Sequence, residues 1–557
     1  MEKWEPRLIG IFLGILAILR VIYAFTYRID SDEPQHLHTV WGWTQGQIPY
    51  RDFFDNHTPL FQALCAPLLK LLGERADILV LMRLAMIPLF ALSLWAVYQI
   101  AAALFSRRVA WWSVILAGVS RQFFLTATEF RTDDLWVALW LIALALLVRK
   151  PFTKRLAFFA GLTFGAAFAV SMKSTLMLLA VVLALVVLML LRLWQGPKIA
   201  WSAAAARVAC FAGGLLIVPA LVVGFFFAQG ALNQFYYCVV SHNTPQHLGK
   251  WRKFGLHELW FPIAVPCLFF LAHFFVRAHD DRNLGLRRAF LFLAAAFFYY
   301  PMRSYWPLIT RQDYLPLAPL LAIGFMAAAI ELANRLTRRH QRLAVIALVL
   351  PALLVCIQIG RVIAVQRPWN NRAALFSRHL GVALRITRPG DLVMDSKGET
   401  IFRNRPFYFA LEGITLERIR QGLIRDDIAQ RLVSTGTCVV TINRLPGAAR
   451  DFVTANYIPF FGRYWVAGHL LRNVLAGQSV HFDLQVPTSY EVVDRSGKKV
   501  AGTLDGIPLD EPRMLAAGPH EFRAAKDEGK VFLVWAQACE RGRGDFQKDV
   551  NQRAQEE

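Results

Sequence analysis

Long apolar runs separated by short charged segments fill the first two-thirds of the chain, and a shorter, alternating pattern takes over in the last third. The first run, from about Leu8 to Tyr27, is longer than a signal-peptide core, and no small-residue cleavage site follows it, which predicts a retained helix. Further apolar stretches centre near Pro88, Val114, Leu139, Phe164, Val182, Leu216, Cys267, Ala295, Leu321 and Val349. Crossing a bilayer core of about 30 Å takes roughly 20 apolar residues at about 1.5 Å per residue, because lipid leaves backbone polar groups no partner outside the helix. The pattern predicts an α-helical polytopic membrane protein with about eleven spans, the one at Ala295 being the shortest, and with its two ends on opposite sides.

From about Asn370 the hydropathy falls. Asp391 to Asp395 and Cys438 to Ile442 read as strands around a helical run from Leu416 to Val433, a small α/β unit over residues 370–472. After Asn473 come SVHFDLQV, SYEVVDRSGKK, an Asp505-Gly506 turn, GPHEFRAA and KVFLVWAQA, which predict a β-sandwich-like unit over 473–541, followed by a polar tail over 542–557. The membrane part is expected to occupy residues 1–369, with its first outer loop over 28–77.

Composition agrees with this class: 56% of the 557 residues are hydrophobic, 18% are charged, and the mean hydropathy is +0.39. The net charge of +22 would suit nucleic acid, but its placement accounts for it otherwise. The clusters Arg107-Arg108, Arg149 to Arg155, Arg192 to Arg207, Arg277 to Arg288 and Arg335 to Arg342 fall in alternate loops, on the side of Lys3 and Arg7. The positive-inside rule makes that side cytoplasmic, and no nucleic-acid partner is expected. The acidic 28–77 loop and the C-terminal region then face outward. Seven scattered cysteines without a CxxC pair indicate neither zinc nor a disulfide framework, leaving open only a Cys438–Cys539 pair. Walker A, GxGxxG and HExxH motifs are absent, which argues against nucleotide hydrolysis and the commoner metallopeptidases.

Candidate chemistry concentrates at the outer face. Asp30, Asp32 and Glu33 cluster just beyond the first span, where three acids beside a bilayer call for a reason beyond solvation. Trp41, Trp43 and Tyr50 of the same loop fit an interfacial aromatic belt. A second acidic group, Glu129-Phe130-Arg131-Thr132-Asp133-Asp134, lies where it is expected to meet the first loop. Arg20, Arg121, Lys173, Arg303 and Arg311 bring positive charge to this side; snorkelling accounts for Arg20 and Arg303, and Lys173 is the better anion ligand. Carboxylates beside basic groups can accept a hydroxyl proton while a departing phosphate is stabilised. His36 and His38 lack a third ligand at metal spacing, and His57, beside Pro59, is the histidine retained as a substrate-binding candidate. Gly161 and Gly165 form a GxxxG pattern, read as close helix packing.

The Asp32-Glu33 pair, GQIPYRDFFDNHTPL, RTDDLWVALWL, GLTFGAAFAVSMKSTL and RQDYLPLAPLLA occur in an order that resembles the GT-C class of multispanning glycosyltransferases, in the branch of aminoarabinose transferase and the protein O-mannosyltransferases. The resemblance covers roughly Leu8 to Ala329 and stops short of the C-terminal units. It implies an outward-facing, inverting enzyme that moves a sugar from a polyprenyl-phosphate carrier to an envelope glycan, glycolipid (lipopolysaccharide included) or protein acceptor, in a bacterial inner membrane. Asp32 matches the first-loop acid and is implied as general base, with Glu33 and Asp133 orienting base or acceptor. Lys173, Arg131, Arg311, Tyr314 and His57 are the phosphate- and substrate-binding candidates. No cofactor is required by these residues; a divalent cation, magnesium or manganese, stays open. Two other readings compete: a transporter or flippase of a lipid-linked or anionic glycan, and a noncatalytic glycan-binding scaffold.

Overall fold

The computed structural model describes residues 4–193, 201–244, 260–277, 281–306, 309–339 and 346–542. Parts of the basic clusters after Arg192, Arg277 and Arg335, and the polar tail beyond Gly542, lie outside the described residues. The helices run in order α1 (Glu5–Thr26), α2 (Asp32–Thr44), α3 (Leu60–Leu72), α4 (Ile78–Leu84), α5 (Met86–Leu104), α6 (Arg107–Val119), α7 (Arg121–Thr126), α8 (Thr132–Leu147), α9 (Lys154–Val170) and α10 (Ser174–Leu193). They continue as α11 (Trp201–Ala228), α12 (Leu232–Tyr236), α13 (Trp260–Arg277), α14 (Arg282–Tyr305), α15 (Leu317–Arg339), α16 (Ile346–Val365), α17 (Ala373–Ile386), α18 (Gly413–Arg420), α19 (Ile428–Ser434) and α20 (Gly447–Asn456).

Each of the eleven apolar centres falls on a helix. Among the described residues five stretches are long and apolar enough to cross a membrane: Glu5–Thr26, Ile78–Leu104, Ser174–Leu191, Trp201–Ala228 and Arg311–Arg335. Helices α6, α8 and α9 are only 13, 16 and 17 residues long, short of the roughly 20 that a full crossing takes.

The chain divides into two compact units, one of Met1–Ile29, Asn56–Cys65 and Val80–Ala373, the other of Asp30–Asp55, Ala66–Leu79 and Ala374–Glu557. In the first unit the GxxxG pattern does what its spacing suggests. A Cβ on Gly161 would lie 2.0 Å from the Phe211 carbonyl oxygen of α11, and one on Gly165 would lie 2.4 Å from that of Leu215. Gly214 of α11 returns the contact, with Phe158 O 2.1 Å from where its Cβ would be. Small residues on both helices bring the backbones together, so association rests on dispersion contacts. Arg20 of α1 does not snorkel. It is 2% exposed, and its guanidinium donates to Phe124 O at 3.2 Å, to Thr128 Oγ1 at 2.5 Å and to Ala127 O, above the Phe90 ring. The carbonyls at the end of α7, left without helical partners, thereby receive a charged donor.

In the second unit one apolar core is shared by the segments expected to form separate α/β and β units. The strands are β1 (Val393–Met394), β2 (Val439–Thr441), β3 (Tyr457–Phe461), β4 (Tyr464–Val474), β5 (Ser479–Leu484), β6 (Thr488–Val493), β7 (Gly502–Leu504), β8 (Ile507–Pro508), β9 (Arg513–Leu515), β10 (Gly518–Ala524) and β11 (Gly529–Trp535). A seven-stranded sheet has the order β1-β2-β4-β11-β6-β9 with β3 on β4, and a four-stranded sheet the order β5-β10-β7-β8. The expected boundary at 472/473 falls inside β4, an 11-residue strand whose first half pairs with β2 and whose second half pairs with β11. The β1–β2 pair is parallel.

The Asp505-Gly506 turn joins β7 to β8 with positive φ at both residues (52° and 76°), the geometry that suits the right-handed twist of a hairpin. The helix expected over Leu416 to Val433 is instead split into α18 and α19, with Gly422 at φ 73° between them. Cys438 and Cys539 are both buried with no disulfide between them, and the Cys438 thiol lies within hydrogen-bond distance of Gly436 O and Thr488 Oγ1.

Candidate functional site

The two acidic segments of the sequence build two charge clusters, one in each unit. In the first unit, α8 opens with Thr132, Asp133 and Asp134, an arrangement favoured by the unpaired N–H groups of a helix start. Arg131 Nε lies 3.0 Å from Asp133 Oδ2 and 3.9 Å from Glu129 Oε2. Glu129 is also 3.5 Å from Arg28 Nη2. Lys173, in the short connection between α9 and α10, lies with Nζ 3.6 Å from Asp133 Oδ1 and pairs closely with Asp313 Oδ1. The ammonium also sits 5.6 Å from the centre of the Trp136 ring, whose Nε1 donates to Ser174.

Asp313 was not among the residues singled out from RQDYLPLAPLLA. Its Oδ2 accepts from Thr310 N at 2.6 Å and from Thr310 Oγ1 at 3.1 Å, a capping box that starts the turn Arg311–Tyr314. From this turn it is Asp313 that reaches Lys173. Arg311 is exposed, with its carbonyl accepting from Gln122 Nε2, and Tyr314 packs on Tyr299 with ring centres 5.2 Å apart. His57 is half-buried in the segment ahead of α3. The structure thus gathers Arg131, Asp133 and Lys173 and adds Asp313, whose turn also carries Arg311 and Tyr314.

The first outer loop is largely helical. Asp32 is the first residue of α2, followed by Glu33 and Pro34. Glu33 is fully buried, and its Oε1 accepts from Asp30 N at 2.7 Å, closing the helix start. Asp32 Oδ1 accepts from Lys397 Nζ at 2.5 Å. The expected aromatic belt does not form: Trp41 and Tyr50 are buried, Trp41 stacking on His38 and Tyr50 accepting through its carbonyl from Tyr408 OH. Both residues take their partners from within this unit.

Lys397 belongs to the loop Asp395-Ser396-Lys397-Gly398-Glu399-Thr400 that leaves β1. Asp395 accepts from Gly398 N at 2.6 Å and Thr400 N at 2.8 Å, and Glu399 accepts from Lys397 N at 2.8 Å. His38 Nδ1 is 2.8 Å from Ile401 O. Burial first, and then Arg405, press His38 down to about 4, so its imidazole is neutral and donates to that carbonyl. Burial with the Asp395 charge beside it pushes the Glu399 carboxyl up. Farther along, Arg403 donates two parallel hydrogen bonds to the Glu74 carboxylate at 2.9 and 3.1 Å, and Gln47 Nε2 donates to Asn404 at 3.0 Å.

Among the described residues no three His, Cys, Asp or Glu side chains gather at metal-ligand spacing. Between Asp133 and Asp313, where a cation bridging two carboxylates would stand, the structure has the Lys173 ammonium. That pair of carboxylates is therefore taken up by the lysine, and no step is derived through a divalent ion.

Residues 56–217 match the family model described as dolichyl-phosphate-mannose-protein mannosyltransferase. No curated protein sequence matches the chain. Among solved structures, ArnT from Cupriavidus metallidurans in the apo state is 13% identical, with a TM-score of 0.53 over 82% of this chain and 97% of that one. The same enzyme bound to undecaprenyl phosphate gives the same figures. The oligosaccharyltransferase AglB from Archaeoglobus fulgidus gives a TM-score of 0.43 at 13% identity, over 79% of this chain and 70% of that one. The protein is thus an integral membrane protein that shares the fold of ArnT over 82% of its chain, and it resembles the GT-C glycosyltransferases.

Proposed function

We propose that the protein is a membrane glycosyltransferase that moves a sugar from a polyprenyl-phosphate carrier to an extracytoplasmic glycan, glycolipid or protein acceptor with inversion at the anomeric carbon. The observation that carries this reading is the fold shared with ArnT over 82% of the chain, together with an acid at the start of α2. An acceptor hydroxyl attacks the anomeric carbon as the bond from that carbon to the phosphate oxygen breaks. The hydroxyl proton passes to the Asp32 carboxylate, and the electron pair of the broken bond leaves with the polyprenyl phosphate. Arg131 and Lys173 are the candidates for holding that phosphate. Both are already paired with carboxylates, so an arriving phosphate must compete with Asp133 and Asp313 for them. Lipid-linked substrates place the protein in a cell membrane, the bacterial inner membrane in this reading, with the C-terminal unit on the outer side.

The test is release of free undecaprenyl phosphate by purified full-length protein from undecaprenyl-phosphate-linked mannose, aminoarabinose, glucose or galactose, with a membrane glycolipid extract as acceptor. Wild type is expected to release the carrier from one of these, and the nearly isosteric Asp32→Asn to lose at least about 100-fold in rate, the lower range for a lost acid–base group. No release from any sugar by a folded protein would move the reading to transport of a lipid-linked glycan or to glycan binding without chemistry.

A further inference from the structure

We propose that Lys397 is a positioning residue for glycosyl transfer, set against Asp32 by the loop after β1 to hold its carboxylate anionic and fixed in direction. This rests on the reading of Asp32 as the base.

Among the described residues, the segments next to Asp32 carry several charges of its own sign. From α2 and its lead-in come Asp30 and Glu33, with His36 and the neutral His38; from the loop after β1 come Asp395, Glu399, Lys397 and Arg405; from the turn between β3 and β4 comes Arg463, whose charge acts on Glu399. Asp30 Oδ1 accepts from the Asp32 backbone N at 3.2 Å, which holds the Asp30 carboxylate at the start of the same helix. The remaining carboxylates are satisfied by N–H groups: Glu33 by Asp30, Glu399 by Lys397, Asp395 by Gly398 and Thr400. Arg405 spends its guanidinium on the carbonyls of Ser396, Tyr408 and Phe409. Neighbouring anions raise a carboxyl's proton affinity, and a cation in contact lowers it. Among the described residues Lys397 is a cation in contact, at 2.5 Å.

The lysine is held there by construction. Its side chain is 6% exposed, against 28% for Asp32, so the carboxylate keeps access while the ammonium is shielded, which strengthens the pair. Ordering a buried lysine is unfavourable without a partner, and the loop carrying it is fixed on both sides of position 397. Asp395 and Glu399 bind its amides, and Gly398, at φ 89°, packs directly on the His38 side chain. His38 lies on the same helix as Asp32, so base and lysine share one rigid mount.

The experiment is the pH profile of kcat/KM for undecaprenyl phosphate release from the undecaprenyl-phosphate sugar that wild type turns over, using full-length wild type, Lys397→Met, Lys397→Gln and Lys397→Arg. The acidic limb of wild type is expected below about 4, the ordinary aspartate range. In Lys397→Met and Lys397→Gln it should rise by about one to three pH units, with the lost kcat recovered at higher pH. Lys397→Arg should keep the wild-type limb. A uniform loss at all pH values in Met and Gln, or limbs that superimpose on wild type, overturns the proposal. A wild-type limb at pH 5 or above overturns it without any variant, so a failure of Met or Gln to fold leaves it testable. Failure of the underlying reading shows separately, as full activity in Asp32→Asn.

Discussion

Replacing Gly398 by alanine perturbs the contact between the loop after β1 and α2 at one atom. Gly398 has φ 89°, a backbone region that L residues enter at a cost of roughly 1–2 kcal/mol. The added Cβ would lie 2.5 Å from His38 Cβ, 2.6 Å from its Cγ and 2.8 Å from its Cδ2. His38 cannot swing aside freely, because Ile401 O and the Trp41 ring hold it. Overpacking of this kind costs about 1–3 kcal/mol, so the two effects together come to about 2–5 kcal/mol. Gly422→Ala is the internal control. It has φ 73° with nothing within 4 Å of its Cβ position, so it carries the backbone cost alone. At roughly 2–4 °C per kcal/mol for a domain of 150–250 residues, melting of the purified protein at a fixed scan rate should separate the two variants by about 2–12 °C. Equal melting temperatures would refute the argument that His38 and Gly398 lock helix and loop together.

Two further outcomes are expected. Gly161→Val should lower thermal stability in detergent far more than Gly213→Val, since the first meets the α11 backbone and the second meets nothing within 4 Å; equal effects would separate the GxxxG pattern from helix packing. Burial takes His38 and His379 from 6.5 down to about 4, so the unfolded chain binds more protons in that window, and their stabilisation, complete above about 6.5, is lost as pH falls toward 4 and below. Glu399, pushed up by burial, opposes this on the acid side, and a plot of melting temperature against pH that His379→Gln leaves unchanged would contradict the assignment.

The apolar helices were legible because bilayer thickness imposes a length on apolar runs that no neighbour is needed to reveal. The hairpin at Asp505-Gly506 was legible for a similarly local reason. Helix α2 was hidden by its polar composition, although Leu37, Val40 and Trp41 carry the three- and four-residue spacing of a buried face. Asp313 had a readable signal, the Thr310 to Asp313 capping box, overshadowed by the charge of Arg311. Lys397 had none. A pair separated by 365 positions leaves no periodicity or spacing, and a charged residue in a loop after a two-residue strand looks like a solvated one. Arg20 shows the opposite failure: snorkelling explains an arginine in a span in general, but not one whose donors meet the end of α7.

The second unit is assembled from chain segments that are made far apart in time. Asp30–Asp55 leaves the ribosome early, while the loop that pins its helix follows 365 positions after Asp32. At about 5–20 residues per second that interval is roughly 20–70 s, during which α2 has neither Lys397 nor the Gly398 packing surface. The proposed base therefore meets Lys397 only after the chain has been made past position 397. A nascent or truncated chain carries the acid without its mount, and completion of the C-terminal unit becomes the step that arms it.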